Sequence, residues 1–382
     1  MSGSTLMERD VKQPMNKLRA FLVRKNITPS LRRYGIDALG AMAQGLFCTL
    51  LVGTILNTLG QQLDIGFLNE IIVTLKQGDQ AIGYTVGGLA SALVGPGIAV
   101  AIGMALQAPP LVLFSLIPVG FAANAMAGAG GPLAVYVIAI IACECGKLVS
   151  KETKIDILVT PTLTILMGAG VASLIAAPIG AAAAAVGNFV KWATVLQPFW
   201  MGILVSVVIG MTLTLPISSA AICAALGLTG LAGGAAVAGC CAQMVGFAVM
   251  SFRENRWGGL VAQGVGTSML QMPNIVKNPK IWIPPTLASA ITGPLATCLF
   301  KLEMNGAPVS SGMGTCGFVG QIGVYTGWVT DIAGGIKSGI TSMDWLGLAL
   351  ICFVLPAALS AVFCGMLRRV GWIREDDLKL EL

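Results

Sequence analysis

The sequence predicts an all-α, polytopic integral membrane protein. Of its 382 residues, 55% are hydrophobic and only 10% are charged, whereas a soluble domain carries roughly 25% charged residues. The mean hydropathy of +0.84 points the same way. The 49 glycines and 18 prolines are typical of membrane helices that pack closely and are interrupted. We expect about ten transmembrane helices plus re-entrant segments, at roughly 20 residues per span.

The two ends of the chain are polar and basic. Residues 1–33 and residues 369–382 both contain several Lys and Arg side chains. Such residues stay on the cytoplasmic side of a bacterial cell membrane, so we expect both termini in the cytoplasm and a transmembrane domain at residues 34–368. Membrane orientation also explains the net charge of +6, and no nucleic-acid partner is expected.

The apolar runs set the order of the predicted spans. They lie at residues 36–59, 81–106, 111–127, 132–145, 157–177, 192–215, 231–252, 283–302 and 346–367. After the first run, Leu68, Ile71, Ile72 and Leu75 recur at helical spacing and predict an amphipathic helix. Weaker, glycine-rich stretches at residues 217–229, 258–270 and 309–329 predict re-entrant hairpins or discontinuous helices that line a cavity.

Some chemistry is excluded by what the sequence lacks. It has no histidine, which excludes a histidine general base, a Ser-His-Asp triad and a phosphohistidine. It has no P-loop motif and no CxxC pair, so neither ATP hydrolysis nor a typical zinc site is expected. We predict no catalytic residue, no metal and no cofactor, and a small polar solute and membrane lipid as ligands.

The first polar cluster is the stretch from Ser251 to Arg256, directly after an apolar run. It supplies the candidates Arg253, Glu254 and Asn255. One interpretation is a short cytoplasmic loop with arginines placed by membrane orientation. The other is a cavity wall, because charges at membrane depth are costly and usually functional.

The second cluster lies in residues 263–285, which are rich in amides, hydroxyls and proline. Broken helices expose backbone groups that can bind a polar solute, although a solvent loop is the alternative. The candidates are Gln263, Thr267, Ser268, Gln271 and Asn274.

The third cluster is a short internal repeat. Pro216-Ile-Ser-Ser219 recurs as Pro308-Val-Ser-Ser311, and paired interrupted segments in two halves indicate a binding site in transporters. Chance is the alternative for so short a match. Ser310 and Ser311 are candidates, as are Glu303 and Asn305 just before them; Glu303 is otherwise a loop acid that pairs with Lys301.

One stretch carries a resemblance to a known family. The residues concerned are Pro273, Ile275, Val276, Asn278, Pro279, Ile283 and Pro284. They resemble a motif of the membrane IIC component of the bacterial phosphoenolpyruvate-dependent sugar phosphotransferase system. The resemblance implies a homodimer in which each protomer has a sugar site, a scaffold part and a mobile part. It also implies phosphorylation of the sugar by a separate IIB protein, which IIA supplies.

The sequence departs from that family at two points. Gly266-Thr267-Ser268 stands where a Glu-Pro usually precedes the motif, and the histidine often found in the family's site is missing. The expected function is therefore a IIC-type carrier of a small polar solute, a sugar or polyol, which works by alternating access. A membrane sensor that signals through residues 1–33 and a IIC subunit working with separate IIA and IIB proteins are the alternatives.

Overall fold

The computed structural model describes residues 17–77 and 80–380. Residues 1–16 of the predicted N-terminal segment lie outside the described residues, as do residues 381–382. The described chain is built almost entirely of helices, and its one sheet has two short strands. The prediction of an all-α polytopic fold is confirmed.

The first half of the chain begins with a short helix and ends with a very long one. Its elements are α1 (Lys17–Arg24), α2 (Ala38–Leu46), α3 (Val52–Leu63), α4 (Gly66–Asn69), β1 (Val73–Gln77), β2 (Gln80–Tyr84), α5 (Val86–Ala92), α6 (Val94–Ala105), α7 (Pro110–Ala127), α8 (Gly131–Val149) and α9 (Asp156–Ala193). Wide π-type turns at Arg33–Asp37 and Phe47–Leu51 keep α2 and α3 in one helical stretch, Arg33–Gln61.

The second half contains the interrupted helices. Its elements are α10 (Pro198–Thr214), α11 (Ser219–Leu226), α12 (Gly230–Met250), α13 (Phe252–Val261), α14 (Met272–Lys277), α15 (Ile283–Pro294), α16 (Val319–Ala333), α17 (Ser342–Ala349) and α18 (Leu355–Arg369). Short 3₁₀ turns at Ser268–Gln271, Pro279–Trp282, Pro308–Gly312 and Cys316–Phe318 lie between them. The predicted weak stretches are thus short or broken helices.

The amphipathic helix predicted around Leu68–Leu75 is wrong. Helix α4 ends at Asn69, and the chain then forms an antiparallel hairpin in which Val73 pairs with Tyr84 and Leu75 with Ile82. Val73, Thr74, Ile82 and Tyr84 are β-branched or aromatic residues, and such residues favour strands. Those local preferences outweigh the helical spacing of the four apolar residues.

The apolar run at residues 81–106 is not one straight helix either. Its first residues belong to β2, and α5 and α6 meet at an angle of 55°. Thr85 caps α5 by accepting a hydrogen bond from the backbone N–H of Gly88 at 3.0 Å. The start of helix α5 at Val86 therefore divides the apolar run.

Helices α7 and α8 form an antiparallel hairpin. Gly128, with a φ of +53°, ends α7, and Gly146 near the end of α8 lies against Val112 near the start of α7. Helix α9 then packs on this hairpin over 38 residues, but only 17% of its most apolar window is buried. The rest is available to lipid or to another protein chain.

Fewer helices of the described chain qualify as membrane spans, by their length and composition, than the sequence predicts. Five helical stretches of the described chain are long and apolar enough to cross a membrane, or six with the bent pair α5–α6. One of the five, Pro110–Val149, contains both helices of the hairpin, and α10 is a shorter apolar helix. The count of about ten stays a prediction.

The termini of the described chain meet at one end of the bundle. Arg33 donates to the carbonyl oxygen of Leu106 at 2.7 Å, and Lys147 donates to that of Asn26 at 2.8 Å. A cleft joins the start of the first long helix to Lys379 in the tail. We call this the basic end; it comprises residues 24–37, 106–110, 147–156, 251–256, 271–280 and 368–380.

Candidate functional site

Five of the twelve predicted site side chains lie at the break between α13 and α15. After Val261 the chain forms a π-type turn, a 3₁₀ turn, the six-residue helix α14 and a second 3₁₀ turn before α15 begins at Ile283. Pro273 and Pro279 each lie in the first turn of their short helices, where proline is tolerated and a preceding helix cannot continue. The predicted broken helix is confirmed.

Three amide side chains of this break form a connected chain of hydrogen bonds. The Nε2 of Gln263 donates to Ser251 Oγ at 2.8 Å. Gln271 Nε2 donates to Gln263 Oε1, and Asn274 Nδ2 donates to Gln271 Oε1, both at 2.9 Å. All four residues are buried, so each amide orients the next one.

The same amides hold the backbone of the C-terminal segment. Gln271 Nε2 and Asn255 Nδ2 both donate to the carbonyl oxygen of Leu378, at 2.9 and 2.7 Å. Asn274 Nδ2 donates to that of Lys379 at 2.8 Å. We call the surface formed by Asn255, Gln263, Gln271 and Asn274 the amide basin.

A second polar network lies deeper in the bundle. The hydroxyl groups of Ser268 and Thr214 are 2.8 Å apart. Gln243 accepts from Thr214 at 3.3 Å and from the indole N–H of Trp282 at 2.9 Å, and its Nε2 donates to Thr286 at 3.3 Å. Ser268, Thr214 and Gln243 are fully buried, so this hydroxyl–amide network brings together α10, α12 and the helix break.

The sequence analysis missed four members of that network. Trp282 lies within the stretch 263–285 but is not one of its amide or hydroxyl side chains, and Thr214 and Thr286 lie outside that stretch. Gln243 does carry a signal, because it is the one amide in the apolar helix α12. An amide in such a helix is costly to bury without partners and would have led to its neighbours.

Thr267 supports the network without belonging to it. Its side chain accepts from the backbone N–H of Met269 at 3.2 Å and so begins the 3₁₀ turn that carries Ser268 and Gln271. Gly266 before it lies against the ring of Phe47, where a Cβ would come within 2.4 Å of a ring carbon. Gly266 and Thr267 therefore shape the backbone of the break.

The internal repeat brings its two copies together. Ser219 Oγ donates to the carbonyl oxygen of Gly312 at 2.7 Å, and Ser311 Oγ donates to that of Leu228 at 2.6 Å. Each copy thus binds the backbone of the other copy or of the residues that follow it. Ser310 and Ser311 are both buried. The repeat is a structural pair, and its part in binding a solute stays a prediction.

Glu303 and Asn305 form a separate group. Asn305 Nδ2 donates to Glu303 at 3.3 Å and to Asp331 at 2.8 Å, while its Oδ1 accepts from the backbone N–H of Gly230 at 3.1 Å. Glu303 is exposed. Asn305 therefore fixes the start of α12, and the two carboxylates beside it form an acidic patch distinct from the basic end.

Arg253 and Glu254 face different surroundings. The Glu254 carboxylate binds Arg368 at 2.5 Å and is only 6% exposed. Arg253 is exposed and lines a cleft of about 520 Å³ together with Arg368 and Arg369. The structure therefore joins Glu254 to α18 as an ion pair, next to a basic cleft.

A second cleft, of about 310 Å³, lies beside the amide basin. Asp37 and Gln44 of the first helical stretch form one wall, and Asn274, Lys277 and Lys379 form the other. The twelve predicted site residues thus fall into the amide basin, the hydroxyl–amide network with Thr267 beside it, the paired serines, the acidic patch, and the region of the Glu254–Arg368 ion pair and Arg253. They do not form one continuous surface in this conformation.

A comparison with known protein families shows to which family the chain belongs. The model of the phosphotransferase system EIIC family matches residues 36–380. The chain belongs to the EIIC family. No curated protein and no solved structure matches the chain. This EIIC protein is therefore a membrane component of the sugar phosphotransferase type, and EIIC domains typically work with separate IIA and IIB proteins and a sugar.

Proposed function

We propose that this EIIC protein binds a small polar solute, a sugar or polyol, at the hydroxyl–amide network and carries it across the membrane by alternating access. The supporting observation is the buried set of Ser268, Thr214 and Gln243 at a helix break. A hydroxyl or an amide both donates and accepts hydrogen bonds, as the hydroxyl groups of a sugar do. Neutral groups of this kind suit an uncharged solute.

The amide basin extends the same chemistry toward the basic end. Ser268 and Gln271 belong to one 3₁₀ turn, so the turn links the network to the basin. A solute that leaves the network toward the basic end would meet further amides. These residues, with Arg253, Glu254, Glu303, Asn305, Ser310 and Ser311, stay candidates for contacts in other conformations of the transport cycle.

The basic end is proposed to face the cytoplasm of a bacterial cell. Arg24, Lys25, Arg33, Lys147 and Arg368 lie there, in keeping with the rule that Lys and Arg stay on the cytoplasmic side. Both described termini lie at this end, which requires an even number of spans. The long exposed face of α9 supports a homodimer with one site per protomer, as the family resemblance implies.

A binding experiment tests the proposed site. Purified protein in nanodiscs is titrated with a panel of sugars and polyols, and the solute that binds is tested again with Ser268→Ala. Loss of one hydroxyl partner should weaken binding about fivefold to tenfold, since a neutral hydrogen bond contributes about 1 kcal/mol.

Ser173→Ala is the matched control. Ser173 lies exposed on α9, and its hydroxyl donates within its own helix at 2.8 Å, so the affinity should not change. Equal affinity of wild type and Ser268→Ala would place the solute elsewhere.

A sensor is the second proposal, and one contact favours it. Lys25, after α1, binds Glu152 at 2.5 Å and also the carbonyl oxygen of Ser150, so a shift of α8 or α9 would reach the N-terminal segment. A sensor binds solute without transport, and removal of residues 1–33 would abolish its output but not its binding. Addition of a IIB protein tests the third proposal, phosphorylation-coupled uptake.

A further inference from the structure

The C-terminal tail, residues 372–380, folds back onto the protein. Leu378 is fully buried and Ile373 is 2% exposed, although both lie in a short charged segment that begins after α18. Their side chains join the apolar core formed by the long helices. The tail is therefore a packed part of the basic end.

Polar contacts fix the backbone at the end of the tail. The carbonyl oxygen of Leu378 accepts from Asn255 and Gln271. The Oδ1 of Asn255 also accepts from the backbone N–H of Leu380 at 2.8 Å. One side-chain amide thus pairs with both a carbonyl and an N–H of the tail, as a neighbouring strand would do.

A second clamp holds the beginning of the tail. Asn278 Nδ2 donates to the carbonyl oxygen of Trp372 at 2.9 Å and to Asp377 Oδ2 at 2.8 Å. The ammonium group of Lys280 lies 4.9 Å from the centre of the Trp372 indole ring. Asn278 belongs to the same helix break as Gln271 and Asn274, so the tail spans the break from one side to the other.

The tail is held by several polar contacts but by few buried apolar side chains. Only Ile373 and Leu378 are apolar anchors buried in the core, and the charged side chains of Arg374, Glu375 and Asp376 are exposed. Segments with few buried apolar contacts open locally at much lower free energy than the whole fold. When such a segment leaves, its polar partners are exposed to water and can bind another ligand.

The tail covers two amides of the basin. Gln271 is fully buried beneath it and Asn274 is 5% exposed. Lys379 and Leu380 form part of the wall of the 310 Å³ cleft. Departure of the tail would widen this cleft and expose the amides that lead to Ser268. The tail closes the helix break at the basic end.

We propose that the amide basin is a peptide-binding site, and that the chain's own residues 372–380 occupy it as a removable plug. The ligand class is an extended peptide backbone with an apolar residue at the position of Leu378. Its role as a gate for the solute rests on the proposed function, but the occupancy of the basin does not.

Hydrogen–deuterium exchange of the full-length protein in nanodiscs tests the plug without any solute. In the wild type, the amides of residues 373–380 should exchange at least tenfold more slowly than in a free peptide. Leu378→Asp puts a charge into the apolar anchor site, so the tail should exchange at least tenfold faster than in the wild type. Exchange should also rise in residues 271–277, while α7 and α8 stay unchanged.

A synthetic peptide with the sequence of residues 372–382 tests whether the basin binds a separate peptide. Added in excess to Leu378→Asp, it should restore slow exchange to residues 271–277. Glu375→Ala, which alters an exposed side chain of the same tail, should behave like the wild type. Asn255→Ala, which removes two backbone contacts and leaves the anchor, should speed tail exchange to an intermediate rate and covers the case that Leu378→Asp does not fold.

Two results would overturn the plug. One is a wild-type tail that exchanges as fast as the free peptide. The other is release of the tail in both Leu378→Asp and Asn255→Ala with no restoration of residues 271–277 by the peptide. Neither result depends on transport, so a failed uptake assay would leave the plug standing and a failed exchange experiment would leave the carrier standing.

Discussion

Lys147 is a buried cation at the basic end, and it shows how single charges hold this bundle together. It is 1% exposed and lies 3.0 Å from Glu144. Its ammonium group also donates to the carbonyl oxygens of Asn26 and Leu106. Three separate segments therefore meet at one charge.

We expect Lys147→Met to destabilise the protein by about 3 kcal/mol, because it leaves the Glu144 carboxylate buried without its cation. Glu144→Gln added to it should recover more than half of the loss. Lys154→Met, at an exposed lysine, is the control. Unfolding in detergent measures all three, and equal stability of the Lys147 and Lys154 variants would refute the role of the buried pair.

Gln243 is the residue on which the hydroxyl–amide network depends. In Gln243→Leu, the indole N–H of Trp282 and the hydroxyl of Thr214 lose their acceptor inside the bundle. An unsatisfied buried donor costs about 1–3 kcal/mol, so we expect a loss of that size in unfolding, together with weaker solute binding. Val245→Leu, at a half-buried apolar residue on the same helix α12, should change neither quantity much.

The site residues could be predicted only where polarity clusters in the sequence. Gln263, Gln271 and Asn274 lie within one broken stretch, and the structure joins them directly. Thr214 reaches the network from α10, and Trp282 lies within the polar stretch but has no amide or hydroxyl group. Their hydrogen bonds join residues 29 to 54 positions apart and depend on helix packing, which no short pattern encodes.

Close packing of α10 against α12 depends on small residues. A Cβ on Gly239 would lie 1.9 Å from the carbonyl oxygen of Ser206, so the two backbones touch at this point. Membrane helices approach in this way because they lack a hydrophobic drive to associate.

We expect Gly239→Ala to destabilise the protein by about 1–3 kcal/mol, since the helices must separate. Gly365→Ala, in helix α18 with nothing within 4 Å of the added carbon, should be neutral or slightly stabilising. Thermal unfolding of both variants in detergent tests the difference. Equal melting temperatures would contradict the close approach.

The ion pair between Lys25 and Glu152 holds helix α1 against the bundle, and the Glu152 carboxyl can titrate. The hydrogen bond from Lys25 is the main reason that the pKa of the Glu152 carboxyl lies below its ordinary value. A lowered pKa means that the contact stabilises docking above the pKa of unfolded Glu, about 4.3. This contribution is lost as the pH falls through the lower folded pKa.

We therefore expect faster hydrogen exchange in α1 at about pH 3 than at about pH 6, after correction for the intrinsic exchange rate. Glu152→Gln should show fast exchange at both pH values. A wild-type helix with the same corrected rate at both would show that the Glu152 contacts do not hold α1.

Secondary-structure elements were predicted well where a long apolar run identifies a helix. They were predicted poorly where the same apolar residues fit both a helix and a strand. The long apolar helices and the broken stretch after Val261 follow from the sequence. The hairpin Val73–Tyr84 does not, because its apolar residues also fit a helix. The tail was predicted only as a polar cytoplasmic segment, since the partners of Leu378 lie more than 100 residues away.

The whole molecule has one strongly basic end, and this predicts its orientation. A fluorescent protein fused to either terminus should fluoresce, and alkaline phosphatase fused to either terminus should be inactive, because both termini are expected in the cytoplasm. An active phosphatase at one terminus would require an odd number of spans and would contradict the joined termini of the bundle.

Transport of a polar solute through the hydroxyl–amide network is what we propose for this EIIC protein as a whole. Uptake by the purified protein in proteoliposomes, without IIA or IIB, across a panel of labelled sugars and polyols tests it. We expect saturable uptake of at least one solute, weakened in Ser268→Ala and unchanged in Ser173→Ala. Binding of a solute without uptake of any member of the panel would contradict an independent carrier.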